Sequence, residues 1–157
     1  MRRVAITGIG VVSPLGNDPE AFFTNLAHGR SGIVTLAAPP VTLASKPPAG
    51  HPGKHIGGAV TFDGASHFPA PKLRMLDRVS QFALVAAAQA VRDAGLAFSD
   101  ADRQRAGVFV GTGMGGAQTT DDGYWTLYAE GSDRVKPYTV VMAMTNAAAS
   151  WIGIEYG

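Results

Sequence analysis

A short apolar run that ends in closely spaced glycines limits what this chain can fold into. Residues 108–110 read VFV and lead into residues 111–116, which read GTGMGG. Apolar β-branched and aromatic residues without polar interruption are typical of parallel strands buried on both faces. The glycines allow positive φ and a close approach of the backbone to another group. The pattern predicts a buried strand over residues 106–110 that passes into a tight turn.

The same six residues fit the pattern G-x-G-x-x-G, which is found in dinucleotide-binding turns. That function also requires a helix after the turn, a second strand, and an acidic residue about 20 positions further on. Glu130 stands at a suitable distance, but it precedes Gly131 rather than ending a strand. A nucleotide-dependent oxidoreductase therefore stays one hypothesis, beside a turn that serves packing alone.

Composition excludes several classes of function. The chain has 157 residues, a formal net charge of +1, 46% hydrophobic residues and no cysteine. This balance is typical of globular proteins and does not indicate nucleic-acid binding. The lack of cysteine excludes a disulfide framework, a cysteine-based metal site and a thiol nucleophile within these residues. No apolar run is long enough to span a bilayer and no signal-peptide pattern is recognised, so we expect no membrane association and a cytoplasmic location.

The first part of the chain predicts a strand followed by a helix, which is the start of an α/β pattern. Residues 4–12 form the expected strand, and a turn over residues 13–17 ends it. Asp18 is the expected N-cap of the helix, with Pro19 at its first position and Gly29 at its end. The residues expected on the buried side of this helix are Phe22, Phe23 and Leu26.

Residues 36–71 differ in character, because prolines and glycines interrupt them too often for a long regular element. We expect a loop excursion that contains one short strand over residues 58–62. His51 and His55 have a spacing that could chelate a metal on a helix. The surrounding prolines and glycines oppose a helix, so we expect solvated loop histidines, including His67, and no metal site.

Two later segments predict helices. Apolar residues recur at three- and four-residue spacing over residues 77–95, with Asp77 as the expected N-cap and Gly95 as the stop. The many alanines of this helix allow its backbone to lie close to a sheet or another helix. Residues 139–156 show a second helix-like pattern. Two parallel strands cannot form a self-sufficient sheet, so further strands are expected outside these residues.

Three motifs, in order and spacing, resemble those of the β-ketoacyl-ACP synthases. They are VAITGIGVVSPLGN at residues 4–17, DRVSQFAL at residues 77–84 and VGTGMGG at residues 110–116. The likeness is to the elongating, FabF-like condensing enzymes of fatty-acid and aromatic-polyketide synthesis, and it covers nearly the whole chain apart from residues 36–71. Three further residues fit the family pattern: Asn146, Tyr156 and Gly157.

The resemblance implies a fold and a reaction. The fold is the N-terminal part of a thiolase-like layered α/β/α sandwich, incomplete in this chain, with residues 1–157 as one half-domain that stops before the active-site cysteine. In the family, that cysteine takes an acyl group from acyl carrier protein, and two histidines assist the decarboxylative condensation with malonyl carrier protein. The resemblance assigns no catalytic residue to this chain. The histidines that fit no catalytic position are His28, His51, His55 and His67.

The resemblance also implies binding residues and partners. The end of the acyl-chain pocket corresponds to Met114, flanked by Gly113 and Gly115, although core filling is an equal alternative for the methionine. A segment that reaches the partner's pocket across a homodimer or related heterodimer corresponds to Thr139, Val140 and Ala143. A basic rim for docking acyl carrier protein corresponds to Lys72, Arg74, Arg134 and Lys136. No cofactor is expected, because the substrates are carried on the phosphopantetheine of the carrier protein.

The sequence leaves the function of the whole protein open between an active synthase and a non-catalytic partner subunit of the chain-length-factor kind. The residue that decides between them, the cysteine, is not among residues 1–157. For the chain on its own we predict no condensing activity, because no thiol can hold the acyl group. We also predict that it is not a well-packed monomer, because the expected strands lack neighbours.

Overall fold

The computed structural model describes residues 3–36 and 55–157. The chain divides into two compact units. The first is Val11–Phe62, and the second combines Met1–Gly10 with Asp63–Gly157. The described helices and strands, in chain order, are α1 (Pro19–Ala27), β1 (Val34–Leu36), β2 (His55–Gly57), a 3-10 turn (Gly64–Ser66), α2 (Ala70–Leu73), α3 (Arg78–Asp93), α4 (Asp100–Arg103), α5 (Ala117–Tyr128), α6 (Thr139–Ala143) and α7 (Ala147–Tyr156). None of these helices is long and apolar enough to cross a membrane.

Helix α1 begins and ends where its sequence predicts. The Asp18 carboxylate accepts a hydrogen bond from the Ala21 backbone N–H at 2.8 Å, which satisfies one of the free donors of the first turn. Gly29 has a φ of +64°, a conformation that favours glycine and ends the helix. The predicted burial is wrong, because Phe23 and Leu26 are 69% and 51% exposed and Phe22 is only half-buried.

The first unit also contains a short antiparallel pair of strands. β1 pairs with β2, with Val34 opposite Gly57 and Leu36 opposite His55. The strand predicted over residues 58–62 is wrong, because the Thr61 carbonyl accepts a hydrogen bond from the Asn17 side chain at 2.6 Å instead of from a neighbouring strand. Half of the predicted loop, residues 37–54, lies outside the described residues, and His51 lies there with it.

The core of the second unit lies where α3 packs against α7. The prediction of α3 is confirmed: Asp77 caps it, and Gly95 follows it with a φ of +62°. The apolar residues that recur at three- and four-residue spacing in this helix are half-buried, whereas Leu84 and Val85 are buried. The other buried apolar residues of the described chain are Leu76, Met142, Ala147 and Ala148.

The alanines of α3 allow the close backbone approach that the sequence predicts. Any Cβ at Gly8 would collide with the carbonyl oxygen of Ala90, and any Cβ at Gly10 would collide with that of Ala86. The Ile9 N–H donates to the Asp93 carboxylate at 2.9 Å, so this N-terminal segment lies directly against the helix. Glycine is required at these two positions because the helix backbone occupies the space of a side chain.

The two strands predicted over residues 4–12 and 106–110 are wrong for the described chain. Neither segment takes part in the sheet, and Val4, Ile6 and Phe109 are 96%, 86% and 96% exposed. A strand is held by hydrogen bonds to a neighbouring strand, and no described residue supplies that neighbour to either segment. These two apolar runs therefore expose many of their side chains instead of forming a sheet core.

The helix predicted over residues 139–156 is broken into α6 and α7. Met144 takes an extended conformation, with φ −60° and ψ 140°, and ends α6. The Ala143 carbonyl accepts a hydrogen bond from the Gly116 N–H at 3.3 Å, while the Ala147 N–H donates to the Met144 carbonyl. The glycine turn thus takes the acceptor that a continuous helix would have used, which explains the break.

Candidate functional site

The glycine turn over residues 111–116 is held against the end of α6. Gly115 has a φ of +64°, and its N–H donates to the Thr112 hydroxyl at 3.1 Å. A Cβ at Gly115 would lie 2.7 Å from the Ala143 carbonyl oxygen and 3.0 Å from the Thr145 Cα. Gly115 is therefore required both for its conformation and for the close approach of α6. This contact joins Gly115 to Ala143, two predicted site residues from different motifs.

Met114 projects from this turn into solvent. Its side chain is 76% exposed, and its neighbour Gly113 is exposed with open space around it. Core filling, the alternative considered for Met114, is excluded in the described structure by this exposure. The assignment of Met114 and Gly113 to the end of an acyl pocket stays a prediction.

An open apolar groove of about 400 Å³ lies between α5 and α6. The three residues predicted to face a partner subunit, Thr139, Val140 and Ala143, all line it. Val140 is 72% exposed, and Tyr124, which also lines the groove, stacks its ring on that of Tyr128 with centroids 5.9 Å apart. The other residues of this α5–α6 groove are Thr120, Gly123, Leu127, Val135 and Met144. The groove places apolar side chains in water without any cover from the described chain.

A buried carboxylate connects the starts of α3 and α5. Asp77 is 4% exposed; one of its oxygens accepts from the Val79 N–H, and the other accepts from both the N–H and the hydroxyl of Thr119, at 2.9 and 2.6 Å. Gly116, the N-cap of α5, has no side chain, so Asp77 serves as the cap of this helix as well. The sequence predicts only the local cap, because Thr119 lies 42 positions away and no local pattern connects the two residues.

A polar cavity of about 690 Å³ lies beside this carboxylate. Three of the four residues predicted for carrier docking, Arg74, Arg134 and Lys136, line it. All three are exposed, and among the described residues none of them forms an ion pair. Two carboxylates, Asp122 and Glu130, also line this polar cavity and reduce its positive charge. The structure thus brings together three of the four predicted docking cations.

Lys72, the fourth predicted docking residue, points elsewhere. Its ammonium lies 2.5 Å from a Glu155 carboxylate oxygen on α7 and does not line the polar cavity. The same ammonium lies 5.8 Å from the Phe68 ring centroid and 6.0 Å from the Trp151 ring centroid. We call Phe68, Lys72, Trp151 and Glu155 the Lys72 cluster. This contact, between residues 83 positions apart, carries no signal in the sequence.

The end of α7 is held by α4 and the residues before it. Arg103 donates to the Tyr156 carbonyl at 2.5 Å, and the Phe98 and Tyr156 rings lie 6.0 Å apart. Partial burial raises the pKa of the Tyr156 phenol, and the neighbouring Glu155 carboxylate raises it further. The phenol is therefore neutral at physiological pH, and its hydroxyl remains able to donate a hydrogen bond.

Features expected of a nucleotide site are only partly present. Helix α5 starts directly after Gly116, as a dinucleotide-binding turn requires. In the described chain no strand leads directly into this turn, and Glu130 lies exposed just beyond the end of α5. No described group of three or more histidine, cysteine, aspartate or glutamate side chains could hold a metal ion; His55 and His67 are exposed.

Relatives of known sequence cover the whole chain. The 3-oxoacyl-[acyl-carrier-protein] synthase 2 of Staphylococcus aureus strain N315 is 34% identical over 157 residues, which are 99% of this chain and 36% of that protein. The synthase 2 of Synechocystis is 31% identical over the same length, and the chloroplastic synthase I of Arabidopsis thaliana is 33% identical over 159 residues. The chain spans about a third of the length of these curated relatives.

Solved structures of ketosynthases also match 99–100% of this chain. A type II polyketide ketosynthase in complex with its acyl-carrier protein has a TM-score of 0.73 at 25% identity, covering 100% of this chain and 39% of its own. A β-ketoacyl synthase from Burkholderia phymatum has a TM-score of 0.72 at 25% identity, covering 99% of this chain and 37% of its own. The ishigamide ketosynthase/chain length factor has a TM-score of 0.72 at 27% identity, with the same two coverages. These likenesses confirm the predicted fold class, the N-terminal part of the thiolase-like α/β fold.

The family profile described as "Beta-ketoacyl synthase, N-terminal domain" matches residues 1–157, the entire chain. The match includes all three motifs from which the resemblance was inferred. The chain therefore belongs to the β-ketoacyl synthase family, as its N-terminal domain.

Proposed function

We propose that the protein carrying this sequence is a β-ketoacyl-ACP synthase that acts in fatty-acid or polyketide synthesis. The observation that carries the proposal is the match of the whole chain to this family, together with relatives named as 3-oxoacyl-ACP synthases. The reaction joins an acyl thioester to malonyl-ACP: loss of CO₂ from malonate leaves a carbanion equivalent at carbon 2, which attacks the acyl carbonyl and expels its thiol.

In this proposal residues 1–157 bind and position, and the reacting thiol belongs to another part of the protein. The chain contains no cysteine that could form the acyl thioester. What it offers is the Met114 turn, the α5–α6 groove and the polar cavity. Each of these corresponds to one predicted binding role.

Met114 and its flanking glycines form one end of the acyl-chain pocket in this proposal. The support is geometric: Gly115 and Gly116 hold the turn against α6, while the Met114 side chain is 76% exposed in the described chain. A methionine held in this way presents a flexible apolar surface from a fixed backbone, which suits contact with an alkyl chain.

The α5–α6 groove is the proposed contact with a second subunit, either another copy or a related chain. The support is that Thr139, Val140 and Ala143 line an exposed apolar surface, which is unfavourable in water. Continuity with the glycine turn supports the same role, because Ala143 contacts Gly115. A partner on this groove would therefore lie next to the proposed acyl pocket.

Acyl carrier protein is the second proposed partner. The support comes from the three cations without ion-pair partners at the polar cavity, Arg74, Arg134 and Lys136, and from the related ketosynthase whose structure includes its carrier protein. Exposed cations attract an acidic partner over a range that salt shortens to about 8 to 10 Å near physiological ionic strength. Docking should therefore weaken as salt is raised.

The test is a condensation assay on the complete gene product. Acyl carrier protein loaded with an acyl group and with malonate is mixed with the purified protein, and carrier-bound products are weighed by intact-mass spectrometry. A β-ketoacyl product, two carbons longer than the acyl primer, is the expected result. Failure to form it with any primer length would count against an active synthase.

A non-catalytic subunit of the chain-length-factor kind is the second candidate. The observation that favours it is the structural likeness to a ketosynthase/chain length factor at a TM-score of 0.72. Such a subunit would give no product alone and would change product length when mixed with its cognate synthase. A nucleotide-dependent oxidoreductase, the remaining hypothesis, is tested by titrating NADPH and recording its fluorescence; a saturable change would support it.

A further inference from the structure

Lys72 differs from the other three cations predicted for carrier docking. Its ammonium is enclosed by the Lys72 cluster: a Glu155 carboxylate at 2.5 Å and the rings of Phe68 and Trp151 at 5.8 and 6.0 Å. The Lys72 side chain is 25% exposed, whereas Arg74 is an exposed residue. A cation with one carboxylate and two aromatic partners has less to gain from a new acidic partner than a cation that has none.

The cluster links two elements that are distant in sequence. Phe68 and Lys72 lie on the segment around α2, while Trp151 and Glu155 lie one helical turn apart on α7. Arg74 follows Lys72 by two residues, and its N–H donates to the Ala70 carbonyl at 3.3 Å, so it continues the short turn of α2. Holding Lys72 on α7 therefore restricts where Arg74 can point.

We propose that Lys72 is a positioning residue: it fastens the α2 segment to α7, and through this it presents Arg74 to the carrier protein. This inference rests on the carrier docking proposed above, and it changes the role of one of the four cations in it. The positioning role and a direct contact predict opposite effects of losing Glu155 on the affinity for the carrier protein. Loss of Glu155 should weaken docking if Lys72 is an anchor, but should leave docking unchanged or strengthen it if Lys72 is a contact.

The test measures the affinity of holo acyl carrier protein for the complete gene product over a series of salt concentrations. The variants are Lys72→Met, Glu155→Gln, the two together, and the exchanged pair Lys72→Glu with Glu155→Lys. Arg74→Met serves as the reference for a direct contact. Circular dichroism of every variant checks that the fold survives. Lys72→Arg is the conservative replacement: it keeps the charge and should therefore keep the affinity.

We expect Lys72→Met and Glu155→Gln each to weaken binding about two- to fivefold, the range of an exposed ion pair. The double variant should be no weaker than either single one, and the exchanged pair should restore affinity to within about twofold. The dependence of affinity on salt should fall in Arg74→Met and stay as in the parent for the double variant and the exchanged pair, which keep the net charge of the protein.

Two failures are distinguishable. If Arg74→Met weakens binding while Glu155→Gln does not, and the exchanged pair binds poorly, then Lys72 is a direct contact and the positioning role is wrong while docking stands. If Arg74→Met has no effect either, the positioning role is wrong, because there is no Arg74 contact for Lys72 to present. If Arg134→Met and Lys136→Met also leave the affinity unchanged, the docking proposal itself is wrong.

Discussion

Replacing Gly115 by alanine measures how tightly the glycine turn is held against α6. Two costs combine at this position. The backbone φ of +64° is unfavourable for alanine by about 1 to 2 kcal/mol, partly offset by a loss of about 0.4 to 1 kcal/mol of unfolded-state freedom. The new Cβ would also lie 2.7 Å from the Ala143 carbonyl oxygen and 3.0 Å from the Thr145 Cα, both backbone atoms that cannot rotate away. Moving α6 aside should add about 1 to 3 kcal/mol.

Gly131 is a matched control for the conformational cost. It has a φ of +63°, almost the same as Gly115, but a Cβ there would meet nothing within 4 Å. Gly131→Ala should therefore lower the free energy of unfolding by about 1 kcal/mol, and Gly115→Ala by about 1 to 3 kcal/mol more. The excess is the contribution of the close contact between the turn and α6.

The assay is urea unfolding of the complete gene product, followed by circular dichroism at one fixed protein concentration. Hydrogen exchange of the α6 amides gives a local measurement, since Gly115→Ala should lower protection at residues 139–143 and Gly131→Ala should not. Equal destabilisation by the two substitutions, within about 0.5 kcal/mol, would refute the claim that α6 lies against the turn.

Four further predictions concern other parts of the structure. Asp77→Ala should lower the free energy of unfolding by about 3 to 5 kcal/mol, since it removes the caps of α3 and α5 and leaves Thr119 buried without its acceptor. Additive effects of Asp77→Ala and Thr119→Val in a double-mutant cycle would contradict the coupling of these two residues. Met114→Phe should shorten the longest acyl chain accepted, with reaction on short chains kept; product lengths unchanged in a folded variant would exclude the pocket role, and a uniform loss of activity would indicate overpacking. Burial raises the pKa of the Tyr156 phenol above 10.0 in the folded state. The contribution of this phenol to stability is therefore complete below pH 10 and is lost as the pH rises through the folded pKa. Tyr156→Phe should remove this loss from a pH series of melting temperatures, and an unchanged series would contradict the prediction. Residues 1–157 expressed alone should be inactive and should not form a well-packed monomer, a prediction that a cooperative calorimetric transition from a monomeric peak would overturn.

Local rules predicted the ends of two helices correctly. Asp18 and Asp77 were identified as N-caps, and Gly29 and Gly95 as stops, because capping depends on residues within one helical turn. The break near Met144 could not be predicted in this way. It depends on a hydrogen bond between Ala143 and the glycine turn, which lies far from it in sequence.

Apolar composition gave a wrong prediction where burial depends on distant neighbours. Residues 4–12 and 106–110 have the composition of buried strands, yet in the described structure they are irregular and largely exposed. Composition reports the environment in which a segment is stable, and that environment requires adjacent strands. The family motifs succeeded because they describe order and spacing along the chain, which does not require the neighbours to be present.

The candidate site was predictable only in part, and by resemblance rather than by local pattern. The three groove residues Thr139, Val140 and Ala143 do lie on one surface, which the sequence alone could not establish. The resemblance groups Lys72 with the docking cations, because it lies near a position of the basic rim in the family. Its contact with Glu155, 83 positions away, became visible only in the fold.

The most direct test of the proposed function is to locate the acyl group on the protein. The complete gene product is incubated with acyl carrier protein that bears an acyl group, its intact mass is measured, and the acylated protein is digested and mapped by mass spectrometry. The proposal predicts a mass increase of one acyl group, its discharge on addition of malonyl carrier protein, and no acylated peptide from residues 1–157, which contain no cysteine. An acyl group mapped within residues 1–157, or a protein that takes up no acyl group from any loaded carrier, would contradict it.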